Sequence, residues 1–458
     1  MPAVAVARFS AGSAAQRIWT RPRRKRAETV IPAQVAARVA GSQRRRADTP
    51  GGDPRRRSAR MRRRRWPMDL SYTPVEETFR ARVRAWLAAN LPESSLQRDL
   101  PAMRAWQRKL HAAGFLGGAW PKEYGGAGLS PMEQAILNEE LAHARAPQVV
   151  NAMAIWWVGP AIIRYGTDAQ KERFISPILN ADEIWATGYS EPSSGSDMAA
   201  AKTRAVRDGD HYVVNGQKIW TTLAHISDWF FVLVRTSADG PKWGGLSVLL
   251  MDMRSPGIDI RPIRQIDGGS EFNEVFMSDV RVPVANRLGA EGQGWEIVSS
   301  ALVNERSGIA GSIRFDQALD WLRTTAREQH KLGDPRVRQR MADLATKAAI
   351  MRWAGMRALT DSLHERMNPH LSAAMKLMST SLVQEFSETG MEVLGPWAAL
   401  MDDSHLAAGG RWANQFLFDR AMTIAGGTSE VQRNIVAQRV LGLSTRPTTK
   451  RPPASRPW

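Results

Sequence analysis

The chain has 458 residues, 43% of them hydrophobic, which is enough to bury a sizeable core in roughly two to four domains. Cysteine is absent, which excludes disulfides, thiolate zinc sites, iron–sulfur clusters and a cysteine nucleophile. The net charge of +18 lies mostly at the start, because residues 1–67 hold 19 of the 63 basic residues but only 3 of the 45 acidic ones. The rest is nearly neutral and has no apolar run near the ~20 residues of a membrane span, so we expect a soluble, cytoplasmic protein without a membrane partner.

Residues 1–67 form a basic tail in which Arg clusters alternate with Ala, Pro, Gly and Ser. Such a segment repels itself and has little to bury, so we expect disorder. Three interpretations stay open: coding sequence translated from too early a start, with Met68 as the true first residue; a transit peptide; or a nucleic-acid-binding arm. The excess of 52 Arg over 11 Lys is typical of a GC-rich genome and favours the first. Aromatic residues for base stacking are nearly missing, so nucleic acid is not an expected partner.

Helical periodicity dominates residues 68–185, which predicts an N-terminal helical domain. One apolar helix face is marked by residues that recur every four positions, namely Val75, Phe79, Val83 and Leu87. The same pattern predicts further helices over 103–113, 131–144 and 151–165.

The period changes to that of β-strands over residues 186–294, which predicts a middle β domain. The Asn215-Gly216 pair lies inside an alternating run from His211 to Trp220 and predicts a tight β-hairpin. Runs of β-branched and aromatic residues predict strands over 229–235, 246–253, 258–263 and 274–282.

Helical periodicity returns over residues 295–443, which predicts a C-terminal helical domain. The predicted helices cover 295–328, 335–363, 373–393 and 428–441. Residues 444–458 contain four prolines and no core pattern, so we expect a loose C-terminus. Helices, then strands, then helices indicate one enzyme-sized α+β body.

Three motifs stand in this order along the chain: GYSEPSSGSD at 188–197, NGQKIWTT at 215–222 and GGTSEVQRNI at 426–435. As a set, and over about residues 70–443, they resemble the acyl-CoA dehydrogenase family. The resemblance implies an α+β multi-domain fold with an N-terminal helical domain, a middle β-barrel or sandwich, and a C-terminal four-helix bundle. It also implies α,β-dehydrogenation of an acyl-CoA thioester to the trans-2-enoyl-CoA.

The resemblance implies FAD as the cofactor. The positions that match family FAD contacts are Thr187, Tyr189, Ser190, Gly195, Ser196, Trp220, Thr221, Thr222, Gly395, Thr428, Ser429 and Glu430. Small residues let the backbone approach a planar ring closely, while Trp220 would lie along the isoalloxazine and Thr222 would hydrogen-bond near N5. Thr428 and Ser429 open a helix, where a hydroxyl can cap and free N–H groups can face a polar group. An ordinary turn, a core tryptophan and a plain N-cap are the alternative interpretations.

In the family, a carboxylate removes the α-proton while hydride passes from the β-carbon to flavin N5. Many members carry that glutamate at the position of Gly426, and glycine cannot be a base. A minority supplies it from the first helix after the β domain, where Glu305 stands here. The resemblance therefore implies Glu305 as base, with the backbone N–H of Gly426 still holding the thioester carbonyl. A surface Glu305–Arg306 pair and a base role for Glu430 are the alternatives.

The substrate contacts implied by the resemblance are Ser196, Val303, Asn304 and Arg306, and no metal site is expected. Arg306 can steady a carboxylate or a CoA phosphate. Small residues after the base, Ser307, Gly308 and Gly311, leave room for a branched, bulky or ring-bearing acyl chain.

Two departures from the family concern the neighbouring subunit's FAD. The Arg-x-x-Phe-Gly motif appears as residues 329–333 with Gln329 in place of Arg, and the Gln-x-x-Gly-Gly motif appears as residues 392–396 with Glu392 and Pro396. Glu392 would repel a pyrophosphate unless it is paired. We therefore expect either a homotetramer or an α2β2 heterotetramer with a homologous chain, and electron-transferring flavoprotein as acceptor. The alternative is a non-catalytic or half-site subunit.

Overall fold

The computed structural model describes residues 72–93, 96, 99–304, 309–364, 369–401 and 405–443. Side chains are described for these residues except 302–304, 309–313, 369, 370 and 405–407. The helices and strands below belong to the unit that begins at Pro74. No helix in the described ranges is long and apolar enough to cross a lipid bilayer.

The N-terminal domain is helical, as predicted. Its α-helices are α1 (Pro74–Asn90), α2 (Leu100–Ala112), α3 (Pro131–His143), α4 (Gly159–Tyr165) and α5 (Asp168–Leu179). The predicted apolar face of α1 is buried at Phe79, Val83 and Leu87, whereas Val75 in the first turn is exposed. Arg84 on α1 makes a bidentate ion pair with the buried Glu140 on α3, at 2.7 and 2.8 Å. The predicted helix over 151–165 is in part a π-helix (Ala154–Val158), and α5 was not predicted.

A buried amide network joins these helices to the sheet. The Gln107 side chain on α2 donates to the carbonyls of Ile178 and Leu179 and accepts the N–H of Asn151. The Asn151 side chain in turn accepts the N–H of Trp185 at 3.1 Å. Because buried amides must be satisfied, this chain of bonds fixes where the first strand begins.

The middle domain holds one sheet of eight described strands. They are β1 (Trp185–Gly188), β2 (Arg204–Asp208), β3 (His211–Thr222), β4 (Trp229–Arg235), β5 (Leu246–Asp252), β6 (Ile258–Pro262), β7 (Phe272–Pro283) and β8 (Arg287–Leu288). The order is β6-β7-β3-β2-β4-β5-β8, and β1 pairs parallel to β4. The strands predicted over 229–282 are confirmed within two residues at each end.

The predicted Asn-Gly hairpin is wrong. Asn215 and Gly216 lie within β3, which pairs with β7 on both sides of a β-bulge between Val214 and Gly216. The Asn215 side chain bonds Asp279 on β7, and a Cβ at Gly216 would lie 2.7 Å from the backbone of Thr203. Glycine is therefore required here by close backbone approach rather than by a turn.

The C-terminal domain is helical, as predicted. Its described α-helices are α6 (Gly294–Asn304), α7 (Ile309–Glu328), α8 (Pro335–Leu363), α9 (Pro369–Leu394), α10 (Arg411–Asp419) and α11 (Ser429–Ile435). A shared apolar core packs α7, α8 and α9 together with Trp412 of α10. The predicted helix over 428–441 is confirmed within one residue at each end, since α11 continues directly into a π-helical turn (Val436–Val440).

A buried ion pair ties the loop after β1 to β3. Lys218 on β3 is fully buried, and its Nζ lies 2.8 Å from Oε1 of Glu191, which is also buried. The carboxylate of Glu191 also accepts the backbone N–H groups of Lys202 and Thr203, at 2.7 and 2.8 Å. One side chain therefore joins three segments of the β domain.

Both groups of this pair stay charged at neutral pH. Burial lowers the pKa of Lys218 to about 8, and the Glu191 carboxylate limits that drop. Burial pushes the pKa of Glu191 upward, but the charge of Lys218 and the hydrogen bonds from Lys218, Lys202 and Thr203 outweigh it and hold the pKa below its usual value. The pair is therefore a paired, hydrogen-bonded buried charge, the form in which charges are tolerated inside proteins.

Replacing Lys218 by Met should destabilise the protein strongly. The substitution keeps the side-chain length but leaves Glu191 as a buried carboxylate without its cation, which costs about 3–5 kcal/mol. The expected result is a loss of that size in the free energy of urea-induced unfolding at pH 7. The matched control is Lys242→Met, because Lys242 pairs with Asp197 in the same loop but both side chains are more than half exposed; about 0–1 kcal/mol is expected there.

The loss from Lys218→Met should shrink as the pH falls from 7 to 4. In the wild type, the depressed pKa of Glu191 gives stability that is present above the unfolded-state value of 4.5 and is lost as pH falls through the folded value. Without Lys218, burial raises that pKa, so protonation removes the cost of the unpaired charge. An unfolding difference that stays constant over this pH range would contradict the assignment.

Candidate active site

The first two motifs meet at the carboxyl end of β3. The loop of residues 189–196 begins where β1 ends, and the N–H of Ile219 on β3 donates to the Ser190 carbonyl at 3.0 Å. Glu191 and Ser194 exchange two backbone hydrogen bonds, which closes a tight turn inside the loop. Together with the Glu191–Lys218 pair, these bonds hold the loop against the strand.

Trp220 is presented to the outside at this point. It is 57% exposed, and its φ of +60° lies in the left-handed region that a tryptophan rarely adopts. Its ring contacts Phe272 edge-on at 6.3 Å. An exposed indole in a strained backbone conformation is typical of a binding surface rather than of a core residue, which favours the functional interpretation of this position.

The predicted contacts on either side of Trp220 are close to it but differ in burial. Thr187 lies within β1 and Thr222 ends β3, both half-buried, while Thr221 is buried. Gly195 and Ser196 are exposed, and a Cβ at Gly195 would meet no atom within 4 Å. Tyr189 and Ser190 are half-buried at the start of the loop.

Two hydroxyl groups at this end of the sheet lack a partner. Oγ of Ser194 and Oγ1 of Thr221 are buried and form no hydrogen bond with any described residue. A buried hydroxyl without a partner is costly, so it marks a place where a bound polar molecule completes the hydrogen bonding. Trp220 directly precedes Thr221 on β3, so this end of the strand carries both an exposed indole and a hydroxyl open to a hydrogen bond, features that suit a ligand with a flat ring and polar edges.

The third motif forms the turn before α11. Gly426 and Gly427 have φ values of +64° and +91°, and Thr428 caps α11 by accepting the N–H of Val431 at 3.2 Å, as predicted. Ser429 is buried at the first position of the helix. In the part of the chain that the structure describes, the hydrogen bonds of this motif reach α9 and α11 but not the sheet.

Glu430 is an exposed residue rather than a buried acid. Its own backbone N–H and the Thr428 hydroxyl lower the pKa of its carboxyl, and it pairs with Arg433 at 3.3 Å. A base needs a raised pKa to take a weakly acidic proton, so this carboxylate is poorly suited to that role.

The proposed base lies outside the described residues. Glu305 and Arg306 fall in the gap between α6 and α7, while Val303 and Asn304 are the last residues of α6. Their predicted roles therefore remain predictions. No three His, Asp or Glu side chains within the described ranges are grouped so as to hold a metal ion.

The two stretches that the family uses to contact a neighbouring subunit's FAD, residues 329–333 and 392–396, follow α7 and span the end of α9, respectively. Glu392 is partnered there: its carboxylate lies 3.8 Å from Nε of Arg340, and its carbonyl accepts Nζ of Lys331 at 3.4 Å. Gly395 has a φ of +58°, and a Cβ there would lie 3.5 Å from Nζ of Lys331. The Arg340–Glu392 pair is at least half exposed on both sides, so it offsets only a small part of the repulsion that the Glu392 charge would exert on a phosphate.

Four residues that support the motif loops were not identified from the sequence: Glu191, Lys218, Lys376 and Gln432. The sequence could have revealed one of them. Lys218 stands at an even-numbered position of β3, like the buried Tyr212 and Val214, so its ammonium group is expected to be buried and to need an anion as partner. Lys376 on α9 and Gln432 on α11 bind carbonyls of the glycine turn, contacts that no sequence spacing reveals.

Comparison with known proteins agrees with this geometry. Family models match in chain order: the acyl-CoA dehydrogenase N-terminal domain over residues 73–182, the middle domain over 186–280 and the C-terminal domain over 292–441. Acyl-CoA dehydrogenase IpdE1 of Mycobacterium tuberculosis is 40% identical over 386 residues, which cover 80% of this chain and 97% of that protein.

Solved structures show the same relationship. The ChsE4-ChsE5 complex from Mycobacterium tuberculosis matches with a TM-score of 0.72 at 35% identity, over 83% of this chain and 100% of that chain. The Tcur3481-Tcur3483 steroid ACAD matches with a TM-score of 0.74 at 30% identity, over 82% and 100%. The chain therefore belongs to the acyl-CoA dehydrogenase family and is a flavin-dependent oxidoreductase.

Proposed function

We propose that this chain binds FAD at the carboxyl end of β3 and catalyses α,β-dehydrogenation of an acyl-CoA thioester to the trans-2-enoyl-CoA, with Glu305 as base. The observation that supports it most is the exposed, strained Trp220 beside the partnerless hydroxyls of Ser194 and Thr221. An exposed indole and unpartnered hydroxyls do not stabilise the folded chain, but they can bind a flat ring with polar edges.

The residues that would hold the cofactor come from the middle β domain and from the C-terminal helical domain. Those of the sheet are Thr187, Tyr189, Ser190, Gly195, Ser196, Trp220, Thr221 and Thr222, and those of the C-terminal domain are Gly395, Thr428, Ser429 and Glu430. When bound, the flavin would supply the acceptor for the hydride that leaves the substrate β-carbon. The chain itself contributes the hydroxyl groups of Ser194 and Thr221 and the exposed ring of Trp220, on segments that the buried Glu191–Lys218 pair holds together.

The backbone at Gly426 supports a base located elsewhere. A φ of +64° is strained for any residue with a Cβ, so a glutamate at this position would be held in an unfavourable conformation. The exposed Gly426 can instead use its N–H to hold the thioester carbonyl, where negative charge develops as Glu305 removes the α-proton. Ser196, Val303, Asn304 and Arg306 would contact the substrate.

The substrate class that we propose is a bulky, ring-bearing acyl-CoA. Ser307, Gly308 and Gly311 follow the base in the sequence and have little or no side-chain volume. The Tcur3481-Tcur3483 protein, 30% identical to this chain, is named a steroid ACAD. Electron-transferring flavoprotein is the proposed acceptor for the reduced cofactor.

The proposed assembly is a heterotetramer with a homologous, unlike chain. Gln329 and Glu392 replace the family's Arg and Gln at the contact with a neighbour's FAD, so two copies of this chain would make a weakened site. Both solved relatives named above carry two differently named chains.

Substituting Gln for Glu305 should slow flavin reduction by acyl-CoA about 10²–10⁴-fold, because an amide cannot accept the α-proton. The measurement is the rate of loss of visible flavin absorbance under anaerobic conditions. The control is Glu328→Gln, an exposed carboxylate at the last residue of α7, about 30 Å along that helix from its first residue. Equal reduction rates in Glu305→Gln and wild type would show that another group is the base.

Flavin retention should depend on an unlike partner. Protein expressed alone should be purified with little FAD, whereas co-expression with a homologous chain from the same organism should yield a complex with FAD bound close to stoichiometrically. The measurement is flavin absorbance per polypeptide, with mass determined by light scattering. A fully flavin-loaded homotetramer would contradict the heteromeric assembly while leaving the reaction in place.

A further inference from the structure

The turn before α11 has two side chains that bind its carbonyl groups. Nζ of Lys376, on α9, lies 2.6 Å from the carbonyl oxygen of Gly427 and 3.3 Å from that of Met422. Nε2 of Gln432, which is fully buried on α11, donates to the Gly426 carbonyl at 3.2 Å and lies 3.5 Å from the Gly427 carbonyl. We call Lys376 and Gln432 the carbonyl clamp.

The turn needs such support because it has no side chains of its own. Two successive glycines have the largest conformational freedom of any dipeptide, and both are held here at positive φ. A Cβ at Gly427 would lie 2.7 Å from Nε2 of Gln432, so the absence of a side chain is what lets the clamp approach. The glycines and the clamp therefore work as one unit.

The N–H groups on the same turn are left available. Within the described ranges, neither the N–H of Gly426 nor that of Gly427 donates a hydrogen bond, and Gly426 is exposed. In a trans peptide the C=O and N–H groups point in opposite directions, so a bound Gly426 carbonyl fixes the N–H of Gly427 on the other side. The N–H of Gly426 lies between the Met422 and Gly427 carbonyls, both of which Lys376 binds, so the chain is restrained on either side of it.

We infer that Lys376 and Gln432 are positioning residues for the dehydrogenation proposed above, on which this inference rests. They hold the glycine turn so that the Gly426 N–H stays aimed at the thioester carbonyl before and during proton removal. A preorganised donor stabilises developing negative charge without reorganising at the moment of reaction. The hydrogen bond from the Lys376 ammonium is charge-assisted, which makes it the stronger of the two restraints.

The test is Lys376→Met in the flavin-loaded enzyme, compared with Lys376→Arg. The expected result is about a 10- to 100-fold lower rate of anaerobic flavin reduction, with the substrate concentration at half-saturation nearly unchanged. Lys376→Arg keeps a charged donor and should recover most of the rate. Isotope-edited infrared spectra of bound enoyl-CoA should show a lowered thioester C=O frequency in the wild type that returns toward the free value in Lys376→Met.

Gln432→Met provides a second variant if Lys376→Met does not fold, and it should show the same two changes. Lys347→Met is the control, since Lys347 on α8 pairs with Asp343 and Glu385 away from the turn. Clamp variants that reduce flavin at the wild-type rate and leave the thioester C=O frequency unchanged would overturn the inference. Variants that lose flavin, but whose remaining flavin-loaded enzyme shows the wild-type C=O frequency, would overturn it too. A wild type that no acyl-CoA reduces would overturn the proposed function as well.

Discussion

A lysine buried without any exposure must find an anion, and Lys218 finds it in a carboxylate of the neighbouring loop. This contact decides the geometry of the β-domain half of the site. Glu191 accepts hydrogen bonds from Lys202, Thr203 and Lys218, so the loop carrying Ser194 and Ser196 is held beside β3, which carries Trp220 near its end. A rim of hydroxyls and an exposed indole are thereby fixed in place before any ligand arrives, which is what a precise binding site requires.

The C-terminal half of the candidate site, the glycine turn before α11, is held by a different kind of contact. Around Trp220, buried charges restrain ordinary residues, whereas before α11 the chain uses glycines and lets side chains from elsewhere bind their carbonyls. Glycine at position 426 carries no carboxylate but keeps its backbone N–H. The family's reaction needs both a base and a carbonyl-polarising donor, and we propose that this chain takes them from two places: the donor from the Gly426 turn and the base from Glu305.

The periodicity of apolar residues was sufficient to predict most helices and strands. In α1, α8 and β4, for example, the residues that each element buries are apolar, so local pattern and tertiary packing agree. The predictions from periodicity failed where contacts with other parts of the chain determine the local structure. Asn215-Gly216 has the composition of a hairpin turn, yet pairing with β7 carries the strand through it as a bulge. The α5 helix contains Pro177 and was missed for that reason. In the site, the Thr428 cap follows from local chemistry, whereas the clamp joins residues about 50 positions apart and is visible only in three dimensions. Glu305 remains a prediction from resemblance, because it lies outside the described residues.

The most direct test of the whole account is an anaerobic absorbance titration of the wild-type enzyme with a panel of acyl-CoA thioesters that differ in chain length and ring content. The account predicts that visible flavin absorbance is lost as substrate is added, to completion at about one equivalent per flavin, and fastest with ring-bearing thioesters. A flavin spectrum that no member of the panel changes, in enzyme shown to be folded and fully loaded with FAD, would contradict it.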